Sequence, residues 1–157
     1  MSTKVFNWLT PLGGGTVYGH ELTANGSSIE PGLLVILDSG GRTVSLAAAS
    51  GSAPLGFAYG DRDLVYAPTS KVYANGEALN ALTGHGFVEV SAEFFSTGSL
   101  PGEVTGQTGV YAGANGKLAM TGTLKVGRLI DTKSFTNATG GTGEAVNVSL
   151  IEFDFGV

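Results

Sequence analysis

Apolar and polar residues alternate one by one along much of this chain, and glycine interrupts the alternation every few positions. A period of two belongs to strands, and the longer period of a helix is nearly absent here. Val88, Val90, Ala92 and Phe94 fall on one face of such a strand, with Glu89, Ser91 and Glu93 on the other. Near the C-terminus Val146, Val148 and Leu150 alternate with Asn147 and Ser149. The phase then slips, and Ile151, Phe153 and Phe155 alternate with Glu152 and Asp154. A one-residue slip moves the apolar set to the opposite face, which predicts a β-bulge or a change of partner sheet near Leu150 and Ile151. The unbroken apolar run Leu33 to Leu37 predicts a strand buried on both faces. Short helical turns are expected only at Ala47 to Ala49 and Glu77 to Leu82.

Asn-Gly stands at Asn25-Gly26, Asn75-Gly76 and Asn115-Gly116, and both residue types tolerate the positive φ of a type I′ hairpin. A hairpin centred on Asn75-Gly76 pairs Tyr73 with Ala78 and Val72 with Leu79; one centred on Asn115-Gly116 pairs Tyr111 with Met120. The Asn25 site, followed by two serines, reads as a loop. A weak internal repeat shares this punctuation. Pro31-Gly32 opens a segment that passes Gly40-Gly41-Arg42 and closes at Leu55-Gly56-Phe57-Ala58. Pro101-Gly102 opens another that passes Asn115-Gly116-Lys117 and closes at Val126-Gly127-Arg128-Leu129. Gly32, Gly56, Gly102 and Gly127 are therefore the expected structural glycines, with Gly56 and Gly127 placed where a second backbone comes close.

The composition agrees with short strands and tight turns. Glycine is about one residue in six, 26 of 157, against a usual ~7%. Only 13% of residues are charged, yet 42% are hydrophobic, and that apolar content is too high for a disordered chain. The fold class expected is all-β: a small β-barrel or β-sandwich with Gly-rich hairpins and an extended N-terminal arm. Residues 1–30 read as the arm and 31–157 as a single β-domain, with 31–60 and 101–130 as its pseudo-repeated halves. Pro11, Gly13-Gly14-Gly15 and Ser27-Ser28 set the arm apart.

The arm carries Phe6, Trp8 and Leu9, which must either dock on the protein's own core or insert into a groove on a partner as anchors. Phe94 and Phe95 are expected to face opposite sides of their strand. The stretch Asp131 to Glu144, rich in Ser, Thr, Asn and Gly, reads as a long loop, and long loops often carry function. Within it Phe135 and Asn137 are the candidates for contact with a partner or a second copy.

Chemistry is sparse. With no cysteine there is no disulfide, thiolate nucleophile or zinc-thiolate site. A net charge of −5 and eight scattered Lys and Arg argue against nucleic acid as a partner. No run approaches the ~20 apolar residues of a spanning helix, so no membrane partner is expected, and the first ten residues do not resemble a secretory leader. His20 and His85 lack a Gly-x-Ser-x-Gly elbow and read as ordinary turn or surface residues. Asp61 and Asp63 flank an arginine, which suits a charged turn better than Ca²⁺. Gly13-Gly14-Gly15-Thr16 lacks the Lys of a phosphate loop. No catalytic residue, metal ligand or cofactor is assigned, and the chain is not expected to be an enzyme.

The order Pro31-Gly32, an apolar strand to Asp38, Gly41, Val44 and Leu55-Gly56-Phe57-Ala58 resembles the first half of small bacteriophage head decoration (capsid cement) proteins. Gly86-Phe87-Val88-Glu89-Val90, Pro101-Gly102, Gly109-Val110-Tyr111, Gly116-Lys117, Val126-Gly127-Arg128-Leu129 and Val146-Asn147-Val148-Ser149-Leu150 are similar to the second half. The resemblance covers about residues 30–155 and rests on Gly-based structural strings; the longer arm and the Asp131 to Glu144 loop depart from it. It implies a structural virion protein, made in the host cytoplasm. Such a protein sits on the outer capsid surface and bridges neighbouring major capsid proteins as a homo-oligomer, a trimer in preference to a dimer. Another phage structural subunit, of the tail tube, fibre or head completion, would share this composition. A carbohydrate-binding β-sandwich module would instead use exposed Trp8, Tyr18, Tyr59, Tyr66 and Tyr111.

Overall fold

The computed structural model describes residues 4–9, 14–18, 22–59, 72–102, 108–136 and 145–156. The protein is all-β, and the described residues build two six-stranded sheets. In chain order the strands are β1 (Phe6–Trp8), β2 (Thr16–Tyr18), β3 (Thr23–Ala24), β4 (Leu34–Leu37), β5 (Thr43–Leu46) and β6 (Gly56–Tyr59). They continue as β7 (Asn80–Thr83), β8 (His85–Val90), β9 (Thr108–Ala112), β10 (Leu118–Ala119), β11 (Lys125–Thr136) and β12 (Ala145–Asp154). The first sheet runs β1-β8-β12-β11-β9-β10 and the second β2-β7-β6-β4-β5-β3.

Between the sheets lies the main core, where Phe57 of β6 meets Phe6 of β1 at 5.1 Å and Phe153 of β12 at 5.7 Å. Leu34, Leu82, Val88, Val90, Val110 and Ile151 complete it. A second core lies on the other face of the second sheet, where Leu22, Ala24, Ile29, Tyr73 and Leu79 cover Val35, Val44, Ala58 and Ala81. The run Leu33 to Leu37 accordingly has Leu34 in one core and Val35 in the other, although Leu37 is 38% exposed.

The Gly-closed segments coincide with two like-ordered units. β7-β6-β4-β5 and β12-β11-β9-β10 have the same neighbour order and antiparallel pairing throughout, with β2 beside β7 and β8 beside β12. The register matches too: Val35 faces Gly56 and Val110 faces Gly127. A Cβ on Gly56 would stand 2.2 Å from the Leu82 carbonyl oxygen, and one on Gly127 2.2 Å from that of Glu152. Both glycines admit the next strand's backbone. Gly32 is required differently, by a φ of +92° and by the rings of Phe94 and Phe6 against it. Gly102 meets no described residue within 4 Å and needs no special φ, so nothing among the described residues requires glycine there.

Several expectations need correction. Residues 1–30 are not an arm over their described part, because β1 joins the first sheet beside β8 while β2 and β3 form the edges of the second. The alternation near Leu150 does mark an irregularity, but β12 pairs regularly with β8 through it. The extra residue is Ile130 of β11, between the pairs Leu129–Ile151 and Asp131–Leu150. From Asp131 to Thr136 the expected loop is instead strand, paired with Ala145 to Leu150; 137–144 lie outside the described residues.

The Asn115-Gly116 hairpin forms, with φ of 56° and 73° at its two central residues, as a type I′ turn requires. Its register is one residue from that expected, pairing Tyr111 with Ala119, because Gly113 N–H donates to the Lys117 carbonyl. Asn75-Gly76 makes a turn closed by Glu77 N–H on Ala74 O, but its flanks do not pair with each other. Tyr73 bridges to Ile29 and Ala78 to Thr23, so the turn clasps the 22–29 segment. Ala47 to Ala49 and Glu77 to Leu82 hold no helix. The chain instead turns in 3-10 fashion at Ala92–Phe94, which ends β8 at Val90 and sends both Phe94 and Phe95 into the main core.

Candidate functional site

Cross-strand register assembles a group of titratable side chains on the first sheet's outward face. Core-facing positions on β12 are Ile151 and Phe153, so Glu152 between them points away from the core. On β11 its direct partner is Arg128, and on β8 its partner is Phe87, with His85 opposite Asp154 one step further. Arg128 Nε donates to Glu152 Oε1, and His85 Nε2 lies 3.1 Å from Glu152 Oε2. Lys125, Gly127, Asp154 and Gly156 line the open groove around them.

The Glu152 side chain is 17% exposed and the His85 side chain 59%. The hydrogen bond from Arg128 holds the Glu152 carboxyl below its ordinary range; partial desolvation opposes this, and His85 adds to the lowering. A carboxylate held ionised by two donors is a weak proton acceptor, and among the described residues no hydroxyl or thiol lines the groove beside it. The arrangement is suited to bracing three strands by cross-strand charge pairing. Among the described residues no group of three or more His, Asp or Glu could hold a metal ion.

The residues expected to meet a partner fall elsewhere. Phe6 is 2% exposed in the main core, packed between Phe57 and Phe94, so it is no free anchor. Trp8 packs against that core with its ring edge-on to Tyr59, 5.6 Å between centroids, and its buried indole N–H meets no acceptor among the described residues. Leu9 donates its N–H to the Phe87 carbonyl, continuing the β1–β8 ladder. The physical reason is shared: with Leu9 on that ladder and the Phe6 and Trp8 rings held between the sheets, the segment closes the open edge of β8. Phe135 stands opposite Val146 in the β11–β12 ribbon. Asn137, His20, Asp61, Asp63 and Tyr66 lie outside the described residues. Burial pushes the Tyr59 hydroxyl's pKa up, and Tyr111 lies over Gly109, where a Cβ would come within 2.8 Å of its hydroxyl.

Sequence reasoning missed a buried polar patch at β1. Asn7 and Glu89 are direct cross-strand partners at 6% and 3% exposure, with Asn7 Nδ2 3.5 Å from Glu89 Oε1. Ser91 Oγ accepts from Val5 N–H at 2.8 Å. Alternation assigned Glu89 and Ser91 to the polar face correctly, but carries no sign that this face is covered.

No family model matches the chain, and no curated protein sequence matches it.

Proposed function

We propose that this protein is a capsid decoration (cement) subunit, which binds the outer surface of a phage head and bridges neighbouring major capsid proteins. The observation that carries the reading is a coincidence of motif and architecture. The Gly-based strings that resemble the decoration family bound β4-β5-β6 and β9-β10-β11, two units of the same strand order around one core. Two sheets packed face to face on one core of aromatic and aliphatic side chains suit a protein that works by adhesion. The charged groove is consistent with this, since the Glu152 carboxylate is already matched by Arg128 and His85. A net charge of −5 suits an outer surface better than contact with packaged DNA.

Cementing works by avidity. A single micromolar contact is worth about 8 kcal/mol, and a homo-oligomer holding several at once leaves far more slowly than one contact would. The test is to mix purified protein with phage heads that lack it, sediment the particles and image them. Saturable density on the outer surface, with a trimer or dimer mass by light scattering, is the expected result. Protein that stays in the supernatant at micromolar concentration would refute the reading.

A further inference from the structure

Three identical tripeptides, Ala24-Asn25-Gly26, Ala74-Asn75-Gly76 and Ala114-Asn115-Gly116, carry the same spontaneous chemistry. The backbone nitrogen of the glycine attacks the asparagine side-chain amide carbon. A C–N bond forms, and ammonia leaves with the proton from that nitrogen. Water then opens the cyclic imide to aspartate or isoaspartate. The glycine N–H must be released from any acceptor before it can attack, so its hydrogen bond sets the protection.

The fold gives the three nitrogens different acceptors. Gly116 is buried, and its N–H donates to the Ala47 carbonyl at 2.8 Å. Gly76 N–H donates to the carbonyl of buried Ala24 at 2.8 Å. Gly26 N–H donates to a side chain, Asn75 Oδ1, at 2.8 Å in an exposed setting. Backbone carbonyls in packed segments hold their place, whereas an exposed side-chain acceptor rotates away at little cost. The exposed Asn25 amide lies against two half-buried side chains, its Nδ2 3.1 Å from Ser45 Oγ and 3.3 Å from Asp38 Oδ2.

We propose that Asn25 is the first deamidation site of the folded protein, and that Asn75 is the guard that sets its rate. The product would be felt locally. A carboxylate at position 25 faces Asp38 where an amide donated to it, and isoaspartate lengthens the backbone where Asn25 N–H bonds Val44 O at 2.9 Å. The β3–β5 junction would loosen first.

The test is ageing of the purified protein at mildly alkaline pH, with peptide mapping by mass spectrometry. Asn25 is expected to convert first in the folded chain, and all three sites at similar rates in denaturant. Asn75→Ala should speed conversion of Asn25 roughly fivefold, the factor for one net hydrogen bond, with Asn115 unchanged as internal clock. Asn75→Asp keeps an oxygen acceptor and should leave Asn25 near its wild-type rate. Conversion of Asn75 or Asn115 ahead of Asn25 in the wild type would overturn the proposal. So would an unchanged Asn25 rate in Asn75→Ala, or an equal rise at Asn25 and Asn115 in that variant, which would mean protection by the fold at large.

Discussion

Glycine positions that look alike in the sequence carry different physical demands. Pro31-Gly32 and Pro101-Gly102 open matching segments, yet Gly32 is pinned by positive φ and two phenylalanine rings while Gly102 faces open space. Gly127 admits the backbone of β12, and a side chain there must push a whole strand aside. Gly127→Val is expected to cost about 3 kcal/mol, the upper range for an overpacked site, and Gly102→Val less than ~0.5 kcal/mol. Urea melts of the two variants would check this, and equal midpoints would remove the close-approach argument. Phe6 and Glu89 carry the same lesson for side chains. A phenylalanine near a terminus and a glutamate on an alternating strand have no residue-level marker of burial, because burial depends on which distant segment covers them.

At the scale of elements, local chemistry was legible and pairing was not. Asn115-Gly116 specifies its hairpin because the two strands it joins are each other's partners. Asn75-Gly76 has the same dipeptide, but its flanks find Thr23 and Ile29 instead, since the second sheet needs a cover for Val35, Val44 and Ala58. The phase slip in β12 pointed to the right place, although the extra residue, Ile130, belongs to the neighbouring strand. β1 is the element whose role changes most. Removing residues 1–9 takes Phe6 from the core and bares the β8 edge. A loss of at least ~4 kcal/mol is expected from the aromatic ring alone, near the whole stability of a small domain. A truncated chain with the full-length urea midpoint would restore the arm.

At the scale of the molecule, the two like-ordered units share one core and do not stand apart. Phe57 of the second sheet touches Phe153 of β12 and Phe155 just after it, at 5.7 and 5.3 Å, and Phe6 of β1 at 5.1 Å. Neither sheet can lose its partner without exposing these rings. Thermal unfolding is therefore expected as a single transition, with calorimetric and van't Hoff enthalpies equal. Two resolved transitions would mean that the units are separate domains. The groove around Glu152 belongs to the same scale, since His85, Arg128 and Glu152 come from three strands and meet only through register.

By itself the sequence determined an all-β chain, the turns at Asn75-Gly76 and Asn115-Gly116, the alternating faces of its strands and the two glycines that admit a neighbour's backbone. Each of these follows from dihedral preference or side-chain period within a few residues. Tertiary structure alone decided which strands pair, that the N-terminal segment is core, that Glu89 is covered, and which of three identical Ala-Asn-Gly tripeptides has the weakest guard. Those outcomes are set by contacts between residues far apart in the chain, and a local pattern holds no information about its distant partner.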